Sequence, residues 1–299
     1  MPFSQIVNLQ FDSLLYSQIV DFYPIADSSY IMTDGACIYR TDHTGVVRKV
    51  INNQGHGGKE YLRIGRLYSD GKFIYAWCEM SLFLYKYDMN LNYIDKFEGP
   101  KHAVSKFVVK GDTAYLLLAG GQDEVVGVLP LAHGEAPSLY GCYTNEDKAL
   151  LVNRVSGGIT VYDDQIYYVK PSEMKIYTGG VIAKWTYEDK DFLVAPVIGR
   201  TLSRTPDEML NYILANSTCS GLYTTGKHLW LITETGSIKL GKKEESQRYL
   251  NLFNINKDGK IVSSFMYNHP GASKYLVHDD FFHCLFDNGD SYVIKLCPI

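Results

Sequence analysis

Gly71-Lys72-Phe73-Ile74-Tyr75, the run 82–88, the turn Met89-Asn90-Leu91-Asn92 and the run 93–97 decide the fold between them. A polar turn leads into an apolar and aromatic run, a second such run follows, and a third returns through an Asn-rich turn. Helical periodicity is almost absent, so the reading is successive antiparallel strands. The opening recurs five more times: Ser28-Ser29-Tyr30-Ile31-Met32, Gly111-Asp112-Thr113-Ala114-Tyr115, Asp164-Gln165-Ile166-Tyr167-Tyr168, Gly226-Lys227-His228-Leu229-Trp230 and Asp280-Phe281-Phe282-His283. Aligned on Ile31, Tyr75, Tyr115, Tyr167, Trp230 and His283, the spacings are 44, 40, 52, 63 and 53 residues. A repeat of that length holds about four strands and predicts a β-propeller.

Six units fit, at 19–51, 61–98, 103–143, 149–194, 219–266 and 273–296. Two further hairpins support the division. Residues 37–42 turn through His43-Thr44-Gly45 into 46–51, and 250–256 turn through Lys257-Asp258-Gly259 into 260–265; Asp-Gly is a strong hairpin signal. The last unit is one strand short, and the run 6–11 has no other home. Pairing it with the C-terminal strand would cover edges that are costly to leave open. The expected fold is all-β: a single six-bladed propeller domain over 1–299, closed by its N-terminal strand, with one short helical insertion near 205–216. That insertion is read from Thr205 as N-cap, Pro206 at the first helical position and Glu208 completing a capping box, with Met209, Tyr212 and Ile213 at helical spacing. It accounts for the long 63-residue spacing, as a rim insertion or as a lid.

Composition agrees. Of 299 residues, 46% are apolar and 21% charged, an ordinary globular balance. There are 24 Tyr against 13 Ala, which argues against an all-α chain. A net charge of −4 gives no bulk electrostatic case for nucleic acid. The first basic residue is Arg40, and residues 1–20 lack the basic start and apolar run of an export signal. The longest apolar stretch, about 125–132, is broken by Gly127 and Pro130 and is too short to span a membrane. The expectation is a soluble chain without a signal. The six cysteines form no C-x-x-C pair and read as buried, reduced thiols.

The segment Gly55-His56-Gly57-Gly58-Lys59-Glu60-Tyr61, followed by Leu62-Arg63-Ile64, Lys72-Phe73-Ile74-Tyr75 and Leu84-Tyr85-Lys86-Tyr87-Asp88, resembles the six-bladed propeller proteins abundant in Bacteroidetes, a group related to NHL-repeat and TolB-like propellers. Their usual loop is Gly-x-Gly-x-Gly-Glu-Tyr/Phe. This chain departs from it at Lys59, where the family has its third glycine. In physical terms the glycines read as positions of positive φ and close approach, and Glu60 as an acceptor for turn amides. The resemblance implies an exported or cell-envelope location, with a cytoplasmic one as the alternative, and brings no assigned activity. Sialidase, Trp-Asp and Tyr-Trp-Thr-Asp signatures are absent, as is the Gly-x-Ser-x-Gly elbow.

Propeller ligands sit where the innermost strands converge. Nine residues before each anchor stand Phe22, Arg66, Lys106, Gly158, Gly221 and Lys274. With Arg63, the cationic members Arg66, Lys106 and Lys274 predict a basic mouth in an acidic protein, suited to a small anionic ligand. The eight histidines show no metal spacing. A six-bladed lactonase-like enzyme would instead hold calcium on oxygen ligands, for which Asp21, Asn153 and Asp279 are the candidates. Asp163-Asp164 and Asp279-Asp280 occupy the same turn slot of their repeats, which favours a turn role for both. Two readings follow. The first is a non-enzymatic binding scaffold for a protein, peptide, glycan or small anion, with no cofactor; its abundant tyrosines suit an interface. The second is a calcium-dependent hydrolase or lactonase.

Overall fold

The computed structural model describes residues 3–11, 18–25, 29–119, 122–151, 156–194, 196, 205, 208, 212, 215–235, 249–268, 271–289 and 291–299. The chain is nearly all β and forms the six four-stranded blades of a β-propeller. The N-terminal strand β1 is Gln5–Leu9. The first blade is β2 Asp21–Ile25, β3 Ser29–Thr33, β4 Ile38–Thr41 and β5 Val47–Ile51. The second is β6 Ile64–Ser69, β7 Phe73–Cys78, β8 Phe83–Asp88 and β9 Tyr93–Glu98. The third is β10 Ala103–Lys110, β11 Thr113–Ala119, β12 Val126–Pro130 and β13 Ser138–Tyr140. After the helix α1, Asn145–Leu151, the fourth is β14 Gly158–Tyr162, β15 Gln165–Val169, β16 Lys175–Thr178 and β17 Ala183–Thr186. The fifth is β18 Thr218–Thr225, β19 His228–Glu234, β20 Tyr249–Ile255 and β21 Ile261–Asn268. The sixth is β22 Lys274–His278, β23 Phe281–Asp287 and β24 Tyr292–Pro298, completed by β1.

The closing strand lies where the sequence places it. β1 runs antiparallel to β24, with Gln5 opposite Leu296 and Leu9 opposite Tyr292. The helix is a correction. The fourth unit was expected to begin at 149, but 145–151 is helical and the blade begins at Gly158. Thr144 caps this helix: its amide donates to Asp147 Oδ2 at 2.9 Å and its hydroxyl accepts from the Asp147 amide at 3.2 Å. The capping box expected at 205–208 is present, since Thr205 N donates to Glu208 Oε2 at 2.8 Å and Glu208 N to Thr205 Oγ1 at 3.3 Å. Pro206, Asp207, Met209 and Ile213 lie outside the described residues.

Tertiary contacts divide the chain into two units, 1–115 with 128–138 and 271–299, and 116–127 with 139–270. In the first, a core joins Ile25, Ile31 and Ile38 of the first blade to Ile64, Leu67, Ile74 and Tyr85 of the second. In the second, Tyr167, Val169 and Ile176 pack on Leu222, Leu229 and Leu231. Inner strands are buried on both faces, β3 throughout and β7 from Ile74 to Cys78, which is why they read as apolar and aromatic runs rather than as strict alternation.

The repeat is held by recurring turn chemistry. At the hairpins after β4, β8 and β20 one side chain accepts two amides, those two and four residues on. These are Asp42 with Thr44 and Val46, Asp88 with Asn90 and Asn92, and Asn256 with Asp258 and Lys260. Asp163-Asp164 and Asp279-Asp280 both adopt positive φ (47° and 56°, 45° and 62°), as a two-residue hairpin requires. The tyrosines are mostly interior. Asp34 and Asp70 each accept the hydroxyl of a tyrosine five residues on, Tyr39 at 2.7 Å and Tyr75 at 3.2 Å. Tyr61 and Tyr143 donate to backbone carbonyls. Their abundance thus serves the core and the turns more than a surface. All six cysteines are free thiols; five are buried and Cys142 is exposed.

The loop that carries the family resemblance is structural. Gly57 N donates to Glu60 Oε2 at 2.7 Å, as expected. Gly55, Gly57 and Gly58 do not adopt positive φ, contrary to expectation. Their lack of a side chain makes room instead: a Cβ on Gly55 would stand 2.1 Å from Glu60 Oε2. No described helix is long and apolar enough to cross a membrane, a statement that does not bear on membrane-spanning strands.

Candidate functional site

The six positions counted back from the anchors all fall on the first strand of their blades. Within the first unit, β22, β2, β6 and β10 are neighbours in sequence order of the blades. The charged side chains at their N-terminal ends form one cluster. Asp21 opens β2, Arg66 is the third residue of β6 and Lys274 opens β22. Asp21 Oδ2 accepts the Leu67 amide at 2.8 Å. Arg66 is anchored by backbone: Nε donates to Ser105 O at 2.6 Å and Nη1 to Gly65 O at 2.5 Å. Its Nη1 also stands 3.3 Å from Glu79 Oε1. The exposed Arg63 approaches the same carboxylate, Nε to Oε2 at 3.8 Å, with its aliphatic part lying along Gly35.

Burial pushes the Asp21 carboxyl above its ordinary range, against the opposing pull of Arg66 and Lys274. Burial likewise pushes Lys274 down, with Asp21 opposing and Arg66 adding to the shift. Asp21 still keeps part of its surface accessible.

Arg66 and Lys274 are thus brought together around Asp21, and Arg63 joins through Glu79. Lys106 is half-buried on β10; strand alternation turns it to the opposite face from Ser105 and Phe107. Sequence reasoning missed Glu79, the counter-charge to both arginines. The only trace of it in sequence is Gly65, whose missing Cβ leaves the space that Glu79 occupies, 2.1 Å from the Glu79 Cδ and Oε1.

Two of the three calcium candidates, Asp21 and Asp279, are described. Asn153 lies outside the described residues. Asp279 follows the far end of β22 from Lys274, in an exposed turn, 3.3 Å from His278 Nε2. Asp21 accepts an amide between two cations, a setting that repels a divalent ion. Among the described residues no group of three His, Cys, Asp or Glu is arranged to hold a metal.

A second polar cluster belongs to the other unit. Asp147 of α1 is fully buried; its Oδ1 accepts the Ser172 amide at 3.0 Å and hydroxyl at 2.6 Å, and its Oδ2 lies 3.5 Å from Lys170 Nζ. Lys170 also pairs with Glu173 at 2.8 Å, which binds Lys175 at 2.7 Å and the Tyr177 hydroxyl. Every acceptor of Asp147 is filled from within, so the group fastens α1 to the fourth blade and offers nothing to a ligand.

No protein-family profile matches the chain, and no curated protein sequence does. Solved structures do match in fold. A member of the DUF4221 family from Bacteroides vulgatus superposes with a TM-score of 0.72 at 9% identity, covering 100% of this chain and 98% of that one. A candidate exported protein from Bacteroides fragilis gives 0.64 at 12% identity, covering 99% and 94%. A streptogramin B lyase gives 0.53 at 11% identity, covering 99% and 98%. At these identities the likeness is one of fold alone.

Proposed function

We propose that this chain is a binding propeller that receives a small anion where the first strands of its sixth, first and second blades converge, with Arg66 and Lys274 as principal contacts and Arg63 and Lys106 as the surrounding positive field. The observation that carries the reading is the placement of Arg66 and Lys274 around one partly accessible carboxylate. Three cations, Arg63, Arg66 and Lys274, face two acids, Asp21 and Glu79, which leaves a local positive surplus in a chain of net charge −4. The similar structure from B. fragilis, described as a candidate exported protein, supports an exported location.

The test is a thermal melt of the full chain with and without acetate or phosphate, compared with Arg66→Ala and Lys106→Ala. An anion at 100 times its dissociation constant adds about 2.7 kcal/mol, or roughly 2–4 °C for a chain of this size. The wild type is expected to show the shift and Arg66→Ala to lose it. Equal shifts in wild type and variant end the reading.

A second reading, a lactonase-like or lyase-like enzyme at the same place, draws on the displaced pair of Asp21 and Lys274, since burial that moves two titratable groups in opposite directions suits proton transfer. It is favoured if calcium specifically raises the melting temperature of metal-stripped protein and a lactone is opened.

A further inference from the structure

The same strand faces that carry the charges also carry rings. Tyr23 stands two residues from Asp21, Tyr68 two from Arg66 and Phe107 two from Ser105, so each ring lies on its partner's face, about 7 Å along the strand. The rings touch from blade to blade: Tyr23 to Tyr68 with centroids at 5.2 Å, Tyr68 to Phe107 at 5.8 Å, and Tyr23 to His278 at 5.7 Å. Phe107 is buried, whereas Tyr23 and Tyr68 keep accessible surface. An aromatic row therefore adjoins the charged cluster.

Two features of that cluster specify its guest. The Lys274 ammonium faces Asp21 by charge, and one carboxylate leaves it donors to give. Glu79 is held on the two arginines at 3.3 and 3.8 Å by charge, with no hydrogen bond from either guanidinium to its carboxylate. A partly exposed pair of that kind is weak and exchangeable. The position against Arg66 is thus already one for a carboxylate, and the surplus of one positive charge matches a single negative charge.

Resting on the anion-binding reading, we propose that the ligand is a carboxylate borne on a flat ring. Its carboxylate takes the place of Glu79 on Arg66 and accepts from Lys274, while its ring lies on Tyr23 and Tyr68.

The experiment titrates the full chain with phenylacetate, acetate and phosphate by calorimetry. Phenylacetate is expected to bind more tightly than acetate by about three- to tenfold, from ring contacts. Tyr68→Leu should erase that difference and leave acetate binding in place, and Tyr68→Phe should keep it. Glu79→Gln should tighten both carboxylates, and Lys274→Met should remove both. If acetate and phenylacetate bind equally while Lys274→Met abolishes both, the ring assignment falls and the anion site stands. Phosphate binding more tightly than either carboxylate overturns the carboxylate assignment. No binding by any of the three overturns this proposal and the anion-binding reading together.

Discussion

Replacing His283 by leucine should change how this protein responds to acid, and the structure sets the size of the change. His283 is 5% exposed on β23. Its Nδ1 lies 3.2 Å from the Tyr30 hydroxyl and its Nε2 3.2 Å from the His278 carbonyl. A carbonyl only accepts, so Nε2 carries the proton and Nδ1 accepts from Tyr30, which is the neutral ring. Burial pushes this imidazole down to about 4; the His278 carbonyl opposes the shift and the neighbouring His278 ring adds to it. In the unfolded chain the ring titrates near 6.5. Below that pH the unfolded state binds a proton that the folded state refuses, so stability is intact above about 6.5 and falls until about pH 4. A shift of this size corresponds to about 3 kcal/mol in all, of which about 2 kcal/mol is lost between pH 8 and pH 5. At neutral pH the variant is the less stable protein, because the Tyr30 hydroxyl is left without an acceptor at a cost of about 1–3 kcal/mol. On acidification the gap between wild type and variant should close by about 2 kcal/mol. Urea unfolding from pH 8 to pH 5 reads this gap directly. A gap that stays constant across the range would refute the buried neutral imidazole.

Two further outcomes test the clusters. Asp147→Ala removes a fully buried carboxylate from Ser172, Thr144 and Lys170, and should cost about 3–5 kcal/mol in a denaturant melt; a loss under about 1 kcal/mol would mean that α1 is not fastened there. Gly65→Ala sets a Cβ 2.1 Å from the Glu79 Cδ. The end of that flexible side chain should swing away at little cost, within about 1 kcal/mol by the same melt, because the partly exposed ion pairs it gives up are weak; a larger loss would mean that Glu79 is fixed in place.

Much of the fold was legible because the chain repeats its turn chemistry. The Asp or Asn that opens each of three hairpins, and the paired aspartates of two others, are local signals that need no tertiary context. Counting back from the six anchors found the first strand in every blade because register within a hairpin is fixed by its turn. The helix at 145–151 escaped because it is a single short element whose cap, Thr144 with Asp147, uses Asp where Glu or Gln is the stronger signal. The site was half legible for a related reason. Arg66 and Lys274 share a position in the repeat, so spacing brings them together. Glu79 follows the end of β7 and meets them only through tertiary placement. The tyrosines suit either an interface or a core by sequence, and many are interior, where hydroxyls such as those of Tyr61, Tyr143 and Tyr39 reach backbone carbonyls or a turn aspartate.

Fold and site meet at one irregularity. The pairing of β6 with β7 slips between Ile64 and Arg66, so Gly65 is an extra residue in its strand. Between β2 and β3 no such slip occurs, and Asp21 and Tyr23 stand directly opposite Thr33 and Ile31. Because side chains alternate, moving a strand by one residue sends every later side chain to the other face. The bulge therefore decides which face Arg66 and Tyr68 occupy. It sets Arg66 against the charges of β2 and β22, and Tyr68 against Tyr23. Glycine at the bulged position leaves the space that the Glu79 side chain fills. One residue thus aims the guanidinium, the ring beside it and the carboxylate that balances them.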